Sequence, residues 1–124
     1  LVLVHGWAYG HGGTALHGKT ILNVISTGAS EAAYQKDGYN RITIRELLAP
    51  IERTATLCGM EFLPPIVVHD THAITDDDIR RHAHDYRRFV EAFRDGRVDM
   101  NAARRQSRMN AQLEKIISRE TKDN

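Results

Sequence analysis

The chain has 124 residues, 41% hydrophobic and 27% charged, with a formal net charge of +1. That size bounds it to one domain with a real core, and that composition excludes global disorder. The near-neutral balance gives no electrostatic reason to bind nucleic acid, no apolar run approaches the ~20 residues of a membrane helix, and the lone Cys58 excludes an internal disulfide.

Residues 1–4 are a short apolar run that fits either a strand or the last turn of a helix. Residues 6–18 carry Gly6, Gly10, Gly12, Gly13 and Gly18 and predict a loop with unusual backbone angles. Residues 20–26 (TILNVIS) are β-branched and mostly apolar, predicting a parallel strand buried on both faces. Residues 27–40 read as loop. Thr43 and Glu46 have capping-box spacing, so a helix starts there, with Leu47, Leu48, Ile51, Ala55 and Cys58 at helical intervals. Pro50 implies a kink or a helix that begins beside it, and Gly59 stands at a left-handed cap. Residues 61–69 (EFLPPIVVH) predict an apolar strand, with Pro64 and Pro65 at its entrance or at a sheet edge.

Thr75 caps a second helix whose first turn holds Asp76, Asp77 and Asp78. Ile79, Ala83, Tyr86, Val90 and Phe93 form one apolar stripe, and Gly96 ends the helix. Residues 101–117 have a thinner stripe, Ala102, Met109, Leu113 and Ile116. That predicts a polar helical appendage that packs weakly or docks on a partner. Strand, helix, strand, helix predicts an α/β domain with a parallel sheet. Two strands are too few for a stable open sheet, so its first half is expected to be missing.

Gly13 to Thr20 fits G-x-x-x-x-G-K-[ST], a phosphate-cradling pattern that needs a helix directly after it. Residues 20–26 read as strand instead, which leaves a nucleotide hydrolase as a remote alternative. His11, His17, His69, His72, His82 and His84 lack ligand spacing and read as solvated or hydrogen-bonded, so no metal ligand is assigned. Cys58 reads as a small buried hydrophobe, not a nucleophile, and no catalytic residue is assigned.

Gly6-Trp7-Ala8-Tyr9-Gly10, then Gly12 to Leu16 with Gly18-Lys19, then Ser26 to Ser30 with Tyr34, then Cys58 to Pro65, resemble one family in order and spacing. It is that of the flavodoxin-like NAD(P)H:quinone oxidoreductases, in the branch of modulator-of-drug-activity proteins and potassium-efflux ancillary subunits. The resemblance implies a three-layer flavodoxin-like fold with a parallel sheet. Only its C-terminal half is present, over residues 1–95, followed by a helical tail over 96–124. Residues 1–4 then become a helix end. The implied cofactor is FMN (or FAD), with NAD(P)H as co-substrate and a quinone as acceptor. Ser26, Thr27, Gly28, Ala29, Ser30 and Tyr34 are the implied cofactor-binding residues, placed beyond a strand's carboxyl end as ligands of parallel sheets are. Family members carry Thr-Thr-Gly-Gly where this chain has Ser26-Thr27-Gly28-Ala29, so Ala29 is expected to strain the loop if a positive φ is needed. Trp7 and Tyr9 are implied substrate contacts across a homodimer, with core packing the alternative for Trp7. Asn40 stands near a family histidine that assists hydride transfer and lacks its acid–base capacity. Implied partners are a second copy and a cation-efflux antiporter. The implied location is cytoplasmic, or peripheral at the inner face of the cell membrane.

Overall fold

The computed structural model of the chain describes residues 2–118. Two parallel strand pairs lie end to end. Strand β1 (Thr20–Ile21) pairs with β3 (Glu61–Phe62), and β2 (Val24–Ser26) pairs with β4 (Ile66–Val68). Both expected strands are therefore present, and both are interrupted. The cause is Pro64-Pro65. Leu63 N donates to Ile21 O (3.1 Å) and Ile66 N to Asn23 O (2.9 Å), but the two prolines between them have no N–H to give, and the ladder opens opposite them. The expected burial of residues 20–26 on both faces is also corrected. Val24 is 52% exposed, because among the described residues the sheet is only two strands wide.

The glycine loop is a chain of tight turns, with positive φ at Gly6, Gly10, Gly12 and Gly18. Residues 2–4 are irregular, not the expected helix end, and Val4 O accepts the Ala8 amide at 2.9 Å to start the turns. The strand directly after Lys19 denies the phosphate-cradle pattern the helix N-terminus it needs.

The capping box at Thr43 forms as expected and opens α1 (Ile44–Leu47). Pro50 resolves as a helix start: α2 (Ala49–Leu57) carries it in its first turn. Gly59 adopts φ 68° after it. Within the loop read over 27–40, residues Glu31–Tyr34 form a 3-10 turn. A second capping box, Thr75 with Asp78, opens α3 (Asp76–Arg94).

On α3 the apolar stripe is the exposed one. Ile79, Tyr86, Val90 and Phe93 are 40–52% exposed, while Phe89 and Ala92 are buried. A ribbon two strands wide spans about 5 Å. It supports one flank of the helix and leaves the stripe uncovered.

The segment after Gly96 corrects the expectation of a weakly packed appendage. It forms two short helices, α4 (Met100–Arg104) and α5 (Leu113–Ile116), in place of one. Ala103, Met109, Leu113 and Ile116 join Leu63, Ile66 and Phe89 in the core. The same segment closes the outer edge of β4. Met109 N donates to Pro65 O (2.8 Å). Asn110 accepts from Val67 N (3.1 Å) and donates to Val67 O (2.8 Å), standing in for a neighbouring strand. Arg104 pairs with Glu61, and Arg108 with Glu31.

Candidate functional site

The parallel register of β2 and β4 brings their carboxyl ends together, and the loops that follow lock on each other. Thr27 N donates to Val68 O (2.9 Å). Thr71 returns both its N–H and its hydroxyl to Thr27 O at 3.1 Å, and Asp70 N donates to Ala29 O (3.2 Å). The Thr27 hydroxyl donates to Ala29 O and sits 2.9 Å from Nδ1 of His69. Its one proton being given to Ala29, it accepts from His69, which sets Nδ1 as the protonated nitrogen. Five of the six cofactor positions read from the sequence, Ser26 to Ser30, thus form one pinned loop.

The expected strain at Ala29 is absent. Among the described residues positive φ outside glycine falls only on Arg41 (52°) and Asp70 (57°), and Asp tolerates that region. Gly28 answers to space rather than to φ: a Cβ there would stand 2.7 Å from Nε2 of His72. Gly28→Ala therefore pushes on the His72 ring.

Tyr34 ends the 3-10 turn with its ring 5.9 Å from that of His69, tilted by 40°. The two rings line a cleft of about 380 Å³, with Ile44 and Val67 also facing it. Its cationic lining is Arg45, Arg105 and Arg108. Arg108 grips Glu31 through Nε (3.2 Å) and Nη2 (2.9 Å), and that hydrogen-bonded guanidinium holds the Glu31 carboxyl below its usual range. Burial is the main cause that pushes His69 below its ordinary value of 6.5, and Arg108 adds to it; Glu31 opposes. His69, Asp70 and Thr71 were missed as site residues. The available signal was position: they follow the apolar run Ile66–Val68, where parallel-sheet ligands gather.

The lowered His69 value fixes a pH dependence. The unfolded chain takes up the proton first as pH falls, so the folded state loses stability from about pH 6.5 downward, until folded His69 protonates as well. Above that window His69 contributes no slope. Glu31, also lowered, acts in a separate window, with stability lost as pH falls below about 4.5. Urea midpoints measured from pH 7.5 to 5 are expected to fall more steeply for the wild type than for His69→Asn. Equal slopes refute the assignment.

The substrate positions are not brought to this cluster. Trp7 is 47% exposed and is not packed in the core of the described residues. Tyr9 meets His5 edge-on at 5.7 Å, and Gly6 N donates to its carbonyl. Among the described residues no hydrogen bond or ring contact joins Trp7 or Tyr9 to the Ser26–Tyr34 loop. Asn40 is exposed, and its N–H closes the loop onto Ala33 O (2.9 Å). Cys58 is buried, 1% exposed, as read. Among the described residues no helix is long and apolar enough to cross a membrane.

A family model described as a flavodoxin-like fold matches residues 1–90. An NAD(P)H oxidoreductase of Bacillus subtilis, YrkL, is 49% identical over 82 residues, which is 66% of this chain and 47% of that protein. The glutathione-regulated potassium-efflux system ancillary protein KefF of Salmonella typhi is 39% identical over 94 residues, 76% of this chain and 52% of its own. The crystal structure of general stress protein 14 from Treponema denticola, in complex with FMN, superposes with a TM-score of 0.68 at 38% identity. It matches over 73% of this chain and 52% of that one. The chain thus spans about half the length of the relatives it matches.

Proposed function

Because the chain belongs to the flavodoxin-like fold family, we propose that it supplies the ring-edge side of a flavin site in an NAD(P)H:quinone oxidoreductase. The observation that carries this reading is the pinned loop Ser26–Ser30 beyond the carboxyl end of β2, crossed by the hydrogen bonds of residues 69–71. A flavin bound there supplies hydride transfer between NAD(P)H and an acceptor. The chain's part is to present amide and hydroxyl donors in a fixed array. Donors that need no reorganisation stabilise the negative charge of a reduced ring, and the Thr27–His69 hydrogen bond holds that array still. Tyr34 closes the edge of the site.

FMN is the favoured cofactor, since the FMN-bearing structure is matched over most of this chain. Trp7, exposed, and Tyr9, half-buried, on a glycine-rich loop suit stacking on a flat quinone or nicotinamide across a homodimer. Asn40, exposed, is read as a further contact of the same substrate. The match to KefF favours a second reading, a cytoplasmic ancillary subunit on a cation-efflux antiporter, compatible with turnover. The family match ends at residue 90, which supports a flavodoxin-like unit over 1–95 and an added segment over 96–124.

The test is a chimera. The portion of general stress protein 14 that this chain does not match is fused ahead of residue 1. The expected product is yellow, retains FMN in preference to FAD, and oxidises NADPH with a quinone. Thr27→Ala is expected to weaken flavin retention about tenfold, the worth of one or two hydrogen bonds. A folded, colourless chimera that takes up no FMN defeats the proposal.

A further inference from the structure

The cleft between the 3-10 turn Glu31–Tyr34 and residues 105–108 lies partly outside the family match, because its far wall comes from the segment beyond residue 90. Its volume of about 380 Å³ suits a small ligand. Three features define what fits. Part of the lining is flat and apolar: the tilted rings of Tyr34 and His69, with Ile44 and Val67. The His69 ring is already engaged by Thr27 through Nδ1, so it offers the cleft a ring surface more than a charge.

The rim is cationic, and its charges are not equivalent. Arg45 is committed to Glu52 through Nε (3.2 Å) and Nη2 (2.9 Å), and its guanidinium lies 5.1 Å from the centre of the Phe62 ring. Arg108 is committed to Glu31. Arg105, the C-cap of α4, lines the cleft, is exposed and forms no ion pair among the described residues. A guanidinium with no ion pair among the described residues, lining the same cleft as two aromatic rings, matches one negative charge. Its planar fork suits a carboxylate, which it can meet with two parallel hydrogen bonds. Thr43 and Ser107 also line it.

We infer that this cleft is a binding site for a small planar aromatic carboxylate, its ring against Tyr34 and His69 and its carboxylate on Arg105. The site needs no flavin to fill it, and residues 105–108 give it a wall that the family match does not include.

The test uses the full 124-residue chain, labelled with 15N, at pH 7. 2-Naphthoate is the probe, and 2-naphthol, neutral at that pH, is its uncharged counterpart. Saturable shifts are expected for naphthoate at the amides of residues 31–35, 67–69 and 105–108. Arg105→Gln is expected to weaken naphthoate about tenfold, the worth of a half-exposed charge-assisted pair. The same variant leaves the weaker binding of naphthol unchanged. Arg53→Gln, on an exposed position of α2 outside the cleft, removes the same charge and leaves naphthoate binding as it is. Arg105 is exposed, so its replacement keeps the fold, and the spectrum of the variant verifies this. Non-saturable shifts, shifts elsewhere on the chain, naphthol bound as tightly as naphthoate, or equal losses in the two arginine variants each overturn the inference.

Discussion

A chain cut after residue 95 is expected not to fold cooperatively. The cut removes Ala103, Met109, Leu113 and Ile116, four members of a core cluster of seven. Truncating one buried Leu, Ile or Met typically costs about 2–5 kcal/mol, so losing three such side chains totals roughly 6–15 kcal/mol. That equals the whole stability of an ordinary domain, about 5–15 kcal/mol. The cut also strips the outer edge of β4, leaving the N–H and C=O of Val67 without Asn110. A bare parallel edge invites association, so the truncated chain is expected to aggregate as well. Urea unfolding followed by circular dichroism checks both. The intact chain gives a single transition and the cut chain none. Met109→Ala alone is expected to lower stability by about 2–5 kcal/mol, while Tyr39→Ala, at a side chain 92% exposed, changes it little. A cooperative transition that survives the cut shows residues 96–124 to be accessory.

The tail shows where sequence reading stopped. Its apolar positions were visible, but spread over two short helices and a connecting loop they give no sustained helical period, and a weak stripe reads as a weak element. Burial here is set by where the chain passes, along the outer edge of β4. Asn110 illustrates the point: nothing local distinguishes an asparagine that replaces a strand from one in solvent. The opposite error occurred on α3. Ile79, Tyr86, Val90 and Phe93 make a clean stripe, yet periodicity reports that a face is apolar and not what covers it. Features fixed by near neighbours were legible. The Thr43 capping box, the cap at Thr75, the left-handed Gly59 and a helix start at Pro50, one of two readings there, depend on three or four adjacent residues, while the Thr75–Asp78 box emerged only from the structure. The loop Ser26–Ser30 was legible through the resemblance and through its place after a strand. Its partners His69 and Thr71 were not, since they lie more than 40 residues away and come together only through parallel pairing.

The isolated chain is expected to bind FMN weakly, even though the loop Ser26–Ser30 is formed. Such cofactors are anchored largely through the phosphate, by backbone amides at a helix N-terminus. Among the described residues, the segment beyond the carboxyl end of β2 leads into a 3-10 turn of four residues, and β4 leads to α3 only after the loop at 69–75. The α3 N-terminus is already filled by Asp76, Asp77 and Asp78, which satisfy its dipole and repel a phosphate. The resemblance implies that the phosphate-holding loop belongs to the part of the fold these residues do not supply. Losing two or three charge-assisted hydrogen bonds at about 1.5–3 kcal/mol each removes several powers of ten in affinity. Titrating the 124-residue chain into FMN and following flavin fluorescence should therefore give little quenching at micromolar concentrations. Riboflavin, which lacks the phosphate, is expected to behave almost the same. The chimera should separate the two flavins sharply. Stoichiometric quenching of FMN by the chain alone at sub-micromolar concentration would mean that these residues hold a phosphate anchor of their own.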